Sequence, residues 1–134
     1  MDKQGNWELF STAQLGFTPY SITNLQIVSS GKVFGGIDYS LSCTYDPTRP
    51  SLFAFDESVG QEITADRPFN TNFIFADRSD HIWCAGGSGY GVYENGNWTW
   101  DEETFKETGV FTIAEAPNGD IWLGTGDGVY VMDR

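Results

Sequence analysis

The sequence predicts an all-β chain built from three repeats of four short strands. Turn-forming Gly, Asn and Asp residues recur roughly every 8 to 12 positions, and no apolar stripe with the period of an amphipathic helix interrupts them. Three similar segments, at residues 25–36, 74–85 and 113–124, each read as a strand, a turn and a second strand. With 134 residues, 40% of them hydrophobic and 16% aromatic, the chain has core material for one folded unit.

The first two strands of each repeat are separated by a two-residue turn signal. These signals are Ser30-Gly31, Ser79-Asp80 and Asn118-Gly119. The second strand then carries an aromatic residue at an equivalent position, namely Phe34, Trp83 or Trp122. Because equivalent positions of a repeat face the same way, we expect all three aromatic side chains to be buried between repeats.

Third and fourth strands complete each repeat. The third strands are predicted at residues 38–45, 90–94 and 128–132. The fourth strands, at 52–56 and 97–101, carry bulky aromatics two residues apart on one face. The last repeat stops before a fourth strand, but residues 6–10 at the start of the chain fit that slot. Aligning Trp7, Phe53 and Trp98 gives a period of about 45 residues.

Four short strands per repeat at this period are typical of β-propeller blades. The sequence therefore predicts one unit over residues 1–134, with blade one at 22–56, blade two at 71–101 and blade three at 110–134. Residues 1–10 supply the fourth strand that closes a last blade. Helix-forming residues occur together only at 102–107, so no helix longer than a turn or two is expected.

The sequence of residues 118–130 resembles the blade signature of the two-component regulator propeller repeats, with residues 80–86 as a weaker copy. The resemblance extends over residues 22–134, although the first copy departs from it by having Phe34 in place of tryptophan, followed by Gly35-Gly36. It implies a propeller fold and a role in ligand sensing, without transferable catalytic residues.

Three blades are too few to close a ring, since propellers use roughly four to eight. We therefore expect the chain to bind a second copy of itself and form a six-bladed homodimer. Residues 4–10 of one subunit would complete the last blade of the other, which pairs sheet edges that are otherwise prone to aggregation. The alternative is that the sequence is a piece cut from a longer propeller.

The charge of the chain restricts its partners and its location. Nineteen acidic and seven basic residues give a net charge of -12, which disfavours nucleic acid and anionic membrane surfaces. No apolar run is long enough for a membrane helix, and the start does not resemble a signal peptide. These observations favour the cytoplasm, with a periplasmic or secreted location as the alternative if a signal was removed. Cys43 and Cys84 then fit buried free thiols better than a disulfide.

The chain has few of the residues that metal sites and catalysis use. Its single histidine, His81, lies at a strand end without a partner set. Four aspartates fall near hairpin turns, where they are expected to bind backbone amides rather than calcium: Asp77, Asp80, Asp120 and Asp127. The glycine-rich segment 86–91 lacks the lysine of a phosphate-binding loop and is interpreted as a turn. We expect no metal and no cofactor.

The loops at one end of a propeller gather on one face, which is the predicted ligand site. The candidate residues are Asp38, Tyr39, Ser88, Tyr90, Thr125 and Asp127, with Tyr20 and Arg67 from connecting loops. Tyrosines beside carboxylates suit a sugar or peptide, although packing of the tyrosines between blades is slightly favoured over a role in binding. The sequence thus favours a non-enzymatic module that binds a small polar ligand or a protein. The alternative is a hydrolase or lyase that uses acids such as Asp38 and Asp127.

Overall fold

The computed structural model of the protein describes residue 9 and residues 21–38, 52–55, 60–63, 69–101 and 103–134. These residues form β-strands joined by turns and contain no helix, as the sequence predicts. Within the same ranges, no helix is able to span a membrane. The segment 102–107, where helix-forming residues cluster, consists of bends and turns in its described part.

The strands form three antiparallel sheets, one for each blade. Blade one has the strand order β1 (Ser21–Ile27), β2 (Val33–Asp38), β3 (Leu52–Phe55) and β4 (Gly60–Ile63). Blade two has β5 (Phe73–Ala76), β6 (Ile82–Gly86), β7 (Gly89–Glu94) and β8 (Asn97–Trp100). Blade three has three described strands, β9 (Val110–Glu115), β10 (Ile121–Thr125) and β11 (Gly128–Met132).

The prediction for the second half of blade one is wrong. Strand β3, predicted as the fourth strand of this blade, pairs directly with β2 and is therefore the third. The fourth strand is β4, beyond the predicted end of the blade at residue 56. Asp38, the first residue of the predicted third strand, is the last residue of β2. Residues 39–51 lie outside the described residues.

The first hairpin of every blade has the same turn geometry, which demonstrates the internal repeat. The amide of the fourth turn residue donates to the carbonyl of the first at 2.9 Å in each case: Gly31 to Val28, Asp80 to Asp77, and Gly119 to Ala116. The donor residue has a φ of +85°, +64° and +99° respectively. A left-handed residue at this position is what the predicted turn signals supply, since Gly adopts it freely and Asp tolerates it.

Each blade has two chemically different faces. The tryptophan face is the side that carries Phe34, Trp83 or Trp122, and the aliphatic face is the opposite side. In the two blade junctions, the tryptophan face of one blade packs on the aliphatic face of the next. Phe34, Leu52 and Ala54 of blade one contact the aliphatic face of blade two, formed by Ile74, Ile82 and Cys84. Trp83 and Ala85 of blade two contact Ile113, Ile121 and Leu123 of blade three.

Burial of the three equivalent aromatics follows from this order. Phe34 is 7% exposed and Trp83 is 2% exposed, as predicted. The prediction that Trp122 is also buried is wrong for the single chain, in which Trp122 is 45% exposed. Its register is nevertheless that of Trp83, since Trp122 pairs with Ala114 and Val131 as Trp83 pairs with Phe75 and Val92. Trp122 is exposed because no described residue covers the tryptophan face of blade three.

Cys84 is a free, fully buried thiol, as the sequence predicts, and burial raises its pKa well above the ordinary range. Cys43, the other cysteine of the sequence, lies outside the described residues. The Cys84 side chain belongs to the core between blades one and two, where a thiol behaves as a small apolar group.

Replacing Gly91 by alanine should destabilise blade two by about 1–3 kcal/mol. Gly91 pairs with Trp100 across β7 and β8, and the Trp100 ring lies where a Cβ would be. Urea unfolding of the variant measures the loss. The matched control is Gly87→Ala, because a Cβ at Gly87 would meet nothing within 4 Å and should change the unfolding free energy by under about 0.5 kcal/mol. Equal effects of the two substitutions would contradict the packing of Trp100 over Gly91.

Candidate functional site

The connection between blades two and three organises the loop end of these blades. It begins at Asp101, whose carboxylate accepts hydrogen bonds from the amides of Glu103 at 3.1 Å and Thr104 at 2.7 Å. It closes on itself where the Gly109 amide donates to the Phe105 carbonyl at 2.8 Å. The Gly126 amide of the β10–β11 turn then donates to the Thr108 carbonyl at 3.2 Å. The connection therefore lies against the β10–β11 turn and ties the two blades together at this end.

Four aromatic rings form a continuous row beside this connection, which we call the aromatic row. The ring centroids of Trp83 and Tyr90 are 5.4 Å apart, those of Tyr90 and Phe105 are 5.9 Å apart, and those of Phe105 and Tyr130 are 4.9 Å apart. Phe105 is buried and Tyr130 is exposed. The row thus begins in the core between the blades and ends in solvent.

The exposed end of the row adjoins a carboxylate. Asp127, in the β10–β11 turn, accepts hydrogen bonds from the hydroxyls of Thr125 at 2.7 Å and Tyr130 at 3.1 Å. The Thr125 bond and then the Tyr130 bond lower the pKa of Asp127, while the same carboxylate raises the pKa of Tyr130. At neutral pH the pair is therefore an ionised carboxylate and a neutral phenol that donates its proton to that carboxylate, so both groups can accept hydrogen bonds from a ligand. A lowered pKa makes Asp127 unsuited to act as a general acid at neutral pH.

The structure brings together some of the predicted site residues. Tyr90, Thr125 and Asp127 lie at the loop end described above. Ser88 lies in the exposed β6–β7 turn at the same end of blade two. Tyr90 is half-buried between Trp83 and Phe105, so it packs between blades, and burial followed by the Asp101 charge raises its pKa.

The other predicted site residues cannot be placed at this end. Tyr20, Tyr39 and Arg67 lie outside the described residues. Asp38 is described as the end of β2, but its side chain is outside the described part of the chain.

Two residues of the aromatic row, Phe105 and Tyr130, are not among the predicted site residues. Phe105 falls in the segment interpreted as a plain connection, and its role depends on contacts with Tyr90 and Tyr130 from different blades. Tyr130 could have been found, because it follows Asp127 by three residues across a tight turn and so returns to the same place.

A second polar cluster lies on the β5–β6 turn of blade two. The Asp77 side chain is completely buried and its Oδ2 accepts hydrogen bonds from Trp83 Nε1 at 3.0 Å and Arg134 Nη1 at 2.5 Å. Its Oδ1 accepts from the amides of Ser79 at 2.9 Å and His81 at 3.0 Å, as predicted for an acid at a turn. His81 Nδ1 lies 2.9 Å from Asp77 Oδ2, and its Nε2 lies 3.2 Å from a Glu94 oxygen.

This cluster joins blades two and three. The Arg134 guanidinium comes from the end of blade three and lies over the Trp83 ring at 5.2 Å from its centroid. Burial of the Asp77 carboxyl favours its neutral form, but the donors from Trp83, His81 and Arg134 outweigh this and lower the pKa to about 2. His81 lies at a strand end between the carboxylates of Asp77 and Glu94.

No group of three His, Cys, Asp or Glu side chains is arranged to hold a metal ion in the described ranges. Chemically, the loop end offers an aromatic surface, a phenol, hydroxyls and one ionised carboxylate. Such groups bind a polar molecule without requiring a cofactor.

Comparisons with known proteins agree with this architecture. Residues 104–127 match the two-component regulator propeller family, a stretch that runs from the blade connection to the β10–β11 turn. The fold is similar to that of the extracellular domain of a one-component system from B. thetaiotaomicron, with a TM-score of 0.68 and 17% sequence identity. That similarity covers 93% of this chain and 16% of the other, so the chain spans about one sixth of its length.

A comparison of the sequence with curated proteins finds no significant match. The resemblance seen in residues 118–130 is thus confirmed by a short family match and by the fold. The described part of the chain consists of consecutive antiparallel sheets arranged as in propeller blades, and residues 104–127 match the two-component regulator propeller family.

Proposed function

We propose that the protein is a non-enzymatic propeller module that binds a small, neutral, polar ligand, such as a sugar, at the loop end of blades two and three. The observation that carries the proposal is the exposed Tyr130–Asp127 pair at the end of the aromatic row. An aromatic ring flanked by an ionised carboxylate and hydroxyls suits a sugar, since the ring packs on C–H groups while the oxygens bind hydroxyls.

The charge of the protein supports a neutral ligand. A net charge of -12 opposes the approach of phosphates and other anions. Asp127, with its lowered pKa, adds a negative charge at the proposed site. A neutral sugar can use this carboxylate as a hydrogen-bond acceptor, whereas an anionic ligand would be repelled by it.

Saturation-transfer NMR with a panel of neutral disaccharides tests this site. The experiment compares the unsubstituted chain with Tyr130→Ala, Asp127→Asn and the control Thr99→Ala, in which an exposed residue of the outer strand β8 is changed. We expect saturation transfer to at least one sugar, loss of the signal in the two site variants and no change in the control. Binding that survives both site substitutions would overturn the assignment of the site, and the lack of binding to any sugar would overturn the ligand class.

We also propose that the module acts outside the cytoplasm, in the periplasm or beyond it. The similar solved structure is described as an extracellular domain, which supports the periplasmic alternative over the cytoplasmic location first expected. Cell fractionation of the native protein tests it, and recovery with the cytoplasmic fraction alone would contradict it.

We propose further that two copies form a six-bladed ring in which residues 1–10 of each copy supply the fourth strand of the other's blade three. Blade three has three strands in the described ranges, so the outer edge of β11 has no described neighbour. Residues 6–10 begin Asn-Trp, as does β8, the fourth strand of blade two. Leu9, which is the described residue of that segment, belongs to no strand and is exposed, which is compatible with a strand that pairs elsewhere.

A further inference from the structure

Consecutive blades are connected by a contact between their hairpin turns, which we call the turn clasp. At the first junction, the Ser29 amide donates to Asp80 Oδ1 at 2.9 Å and the Ser29 hydroxyl donates to Asp80 Oδ2. At the second junction, the Arg78 amide donates to Glu115 Oε2 at 2.9 Å. The Arg78 guanidinium adds bonds to the carbonyls of Ala116 at 2.7 Å and Pro117 at 2.9 Å. In both clasps, an amide of the earlier blade donates to a carboxylate of the later blade.

The donor residues occupy the same position of the repeat. Ser29 and Arg78 are each the second residue of the hairpin turn, directly after Val28 and Asp77. The equivalent residue of blade three follows Ala116 and is Pro117, which has no amide hydrogen. Blade three therefore cannot make the backbone half of the clasp with a following blade.

The acceptors are missing from blade one at the matching positions. Asp80 is the fourth turn residue of blade two, and Gly31 takes this place in blade one. Glu115 pairs with Ile121 at the start of the hairpin of blade three, and Ile27 takes this place by pairing with Val33 in blade one. Blade three thus lacks the donor and blade one lacks the acceptor, so neither would leave an unpaired polar group if the two met.

The inner strands show a second match of the same kind. At the first junction, the Asn24 side chain bonds to the backbone of Ile74 at 2.7 and 3.1 Å, and Gln26 accepts from the Ala76 amide at 3.3 Å. The residues of blade three equivalent to Asn24 and Gln26 are Thr112 and Ala114, which are small and exposed. The residues of blade one that are equivalent to Ile74 and Ala76 are Leu25 and Ile27. Leu25 is 54% exposed and Ile27 is 68% exposed. If blade three met blade one, these large apolar side chains would lie opposite the small side chains of Thr112 and Ala114.

From these matches we infer that the tryptophan face of blade three binds the inner-strand half of the aliphatic face of blade one in a second copy of the chain. On blade three the surface consists of Thr112, Ala114, Trp122, Val129 and Val131. On blade one it is formed by Leu25 and Ile27, because Ile37, Phe53 and Phe55 on the same face are already buried. The inference rests on the proposed two-copy ring and specifies the surface that forms it.

A second copy fits this surface better than a blade of the type of blades two or three. Such a blade would bring a carboxylate equivalent to Asp80 or Glu115 against Pro117, where no amide could donate to it. Blade one brings Gly31 and Ile27 instead. An apolar Ile27 side chain beside Pro117 buries surface without leaving a charge unpaired.

The test adds the missing carboxylate of the clasp to blade one and then the missing donor to blade three. Ile27→Glu places a carboxylate opposite Pro117, and because Ile27 is exposed in the single chain, the fold should be unaffected. We expect sedimentation equilibrium of the 134-residue chain to show that this change weakens dimerisation about tenfold or more. Adding Pro117→Arg recreates the Arg78–Glu115 pair between copies and should restore the dissociation constant to within about threefold of the original. The control Gln61→Glu adds the same charge at an exposed position on β4 and should change nothing.

The possible results separate this inference from the proposed ring. Weakened dimers in Ile27→Glu that are rescued by Pro117→Arg support both. A dimer that is unaffected by Ile27→Glu overturns the surface but leaves the two-copy ring standing. Failure of the second substitution to rescue the first also overturns the pairing of blade three with blade one. A parent chain that stays monomeric even at roughly 200 μM overturns the ring and the surface together.

Discussion

Replacing Trp83 by alanine is expected to lower the free energy of unfolding by about 3–5 kcal/mol, the range for a deleted core aromatic. Trp83 is 2% exposed and fills the junction of blades two and three against Ile113, Ile121 and Leu123. Its loss would leave a cavity between two sheets and would also remove one of the donors to the buried Asp77 carboxylate. Urea unfolding followed by circular dichroism measures the change.

Two further variants test the role of Trp83: one keeps its apolar volume, and the other changes the equivalent but exposed tryptophan of blade three. Trp83→Phe keeps much of the apolar volume but removes the indole donor, so it should cost less than alanine. Trp122→Ala, measured under dilute conditions where the chain is monomeric, should cost under about 1 kcal/mol because Trp122 is 45% exposed. Equal losses for Trp83→Ala and Trp122→Ala in the monomer would show that the face-to-face order of the blades is incorrect.

Replacing Asp77 by alanine is expected to cost about 3 kcal/mol or more. The Asp77 side chain is completely buried, and its removal would leave the Trp83 indole N–H and two turn amides without their acceptor. The Arg134 guanidinium would also lose its carboxylate partner and release the end of blade three. Urea unfolding measures this loss, and the exposed Asp133→Asn variant is the matched control.

The same residue predicts a specific pH dependence. The pKa of Asp77 falls from 3.8 in the unfolded chain to about 2 in the fold, so the ionised carboxylate stabilises the folded state above about pH 4. This stabilisation is lost as the pH falls from about 4 through about 2. Asp77→Asn should therefore flatten the stability curve in that window. A parent protein whose stability is constant between pH 4 and pH 2 would contradict the arrangement of donors around Asp77.

Much of the fold follows from local chemistry that the sequence displays. The three hairpin turns were predicted from Ser30-Gly31, Ser79-Asp80 and Asn118-Gly119, and their last residue adopts the left-handed conformation that Gly and Asp allow. The strands of blade two were predicted within one or two residues, because tight turns with Gly, Asn or Asp separate the apolar runs.

The error in blade one also has a physical cause. Phe53 and Phe55 repeat the spacing of Trp98 and Trp100, so both pairs read as fourth strands. In the structure, Phe53 packs over Gly35 between the second and third strands, whereas Trp100 packs over Gly91 between the third and fourth. The same contact between an aromatic ring and a glycine therefore occurs on different strand pairs. A sequence pattern alone cannot tell them apart.

The candidate site was only partly predictable for a different reason. Asp127 and Thr125 share one turn, so their proximity follows from the sequence. The position of Phe105 depends on how two blades pack together, and no local pattern shows it. Arg134 likewise reaches Asp77 across 57 residues of sequence. Contacts between blades are set by the order of the sheets, which must be known before such residues can be assigned.

Hydrogen exchange at two protein concentrations tests most directly the central claim that a second copy completes blade three. The amides of β11 (Gly128–Met132) that point away from β10 should exchange slowly at roughly 200 μM, where the dimer forms, and much faster at roughly 1 μM, where this edge is open. The amides of β6 (Ile82–Gly86), inside blade two, should be protected equally at both concentrations. Exchange of β11 that does not depend on concentration would contradict the claim.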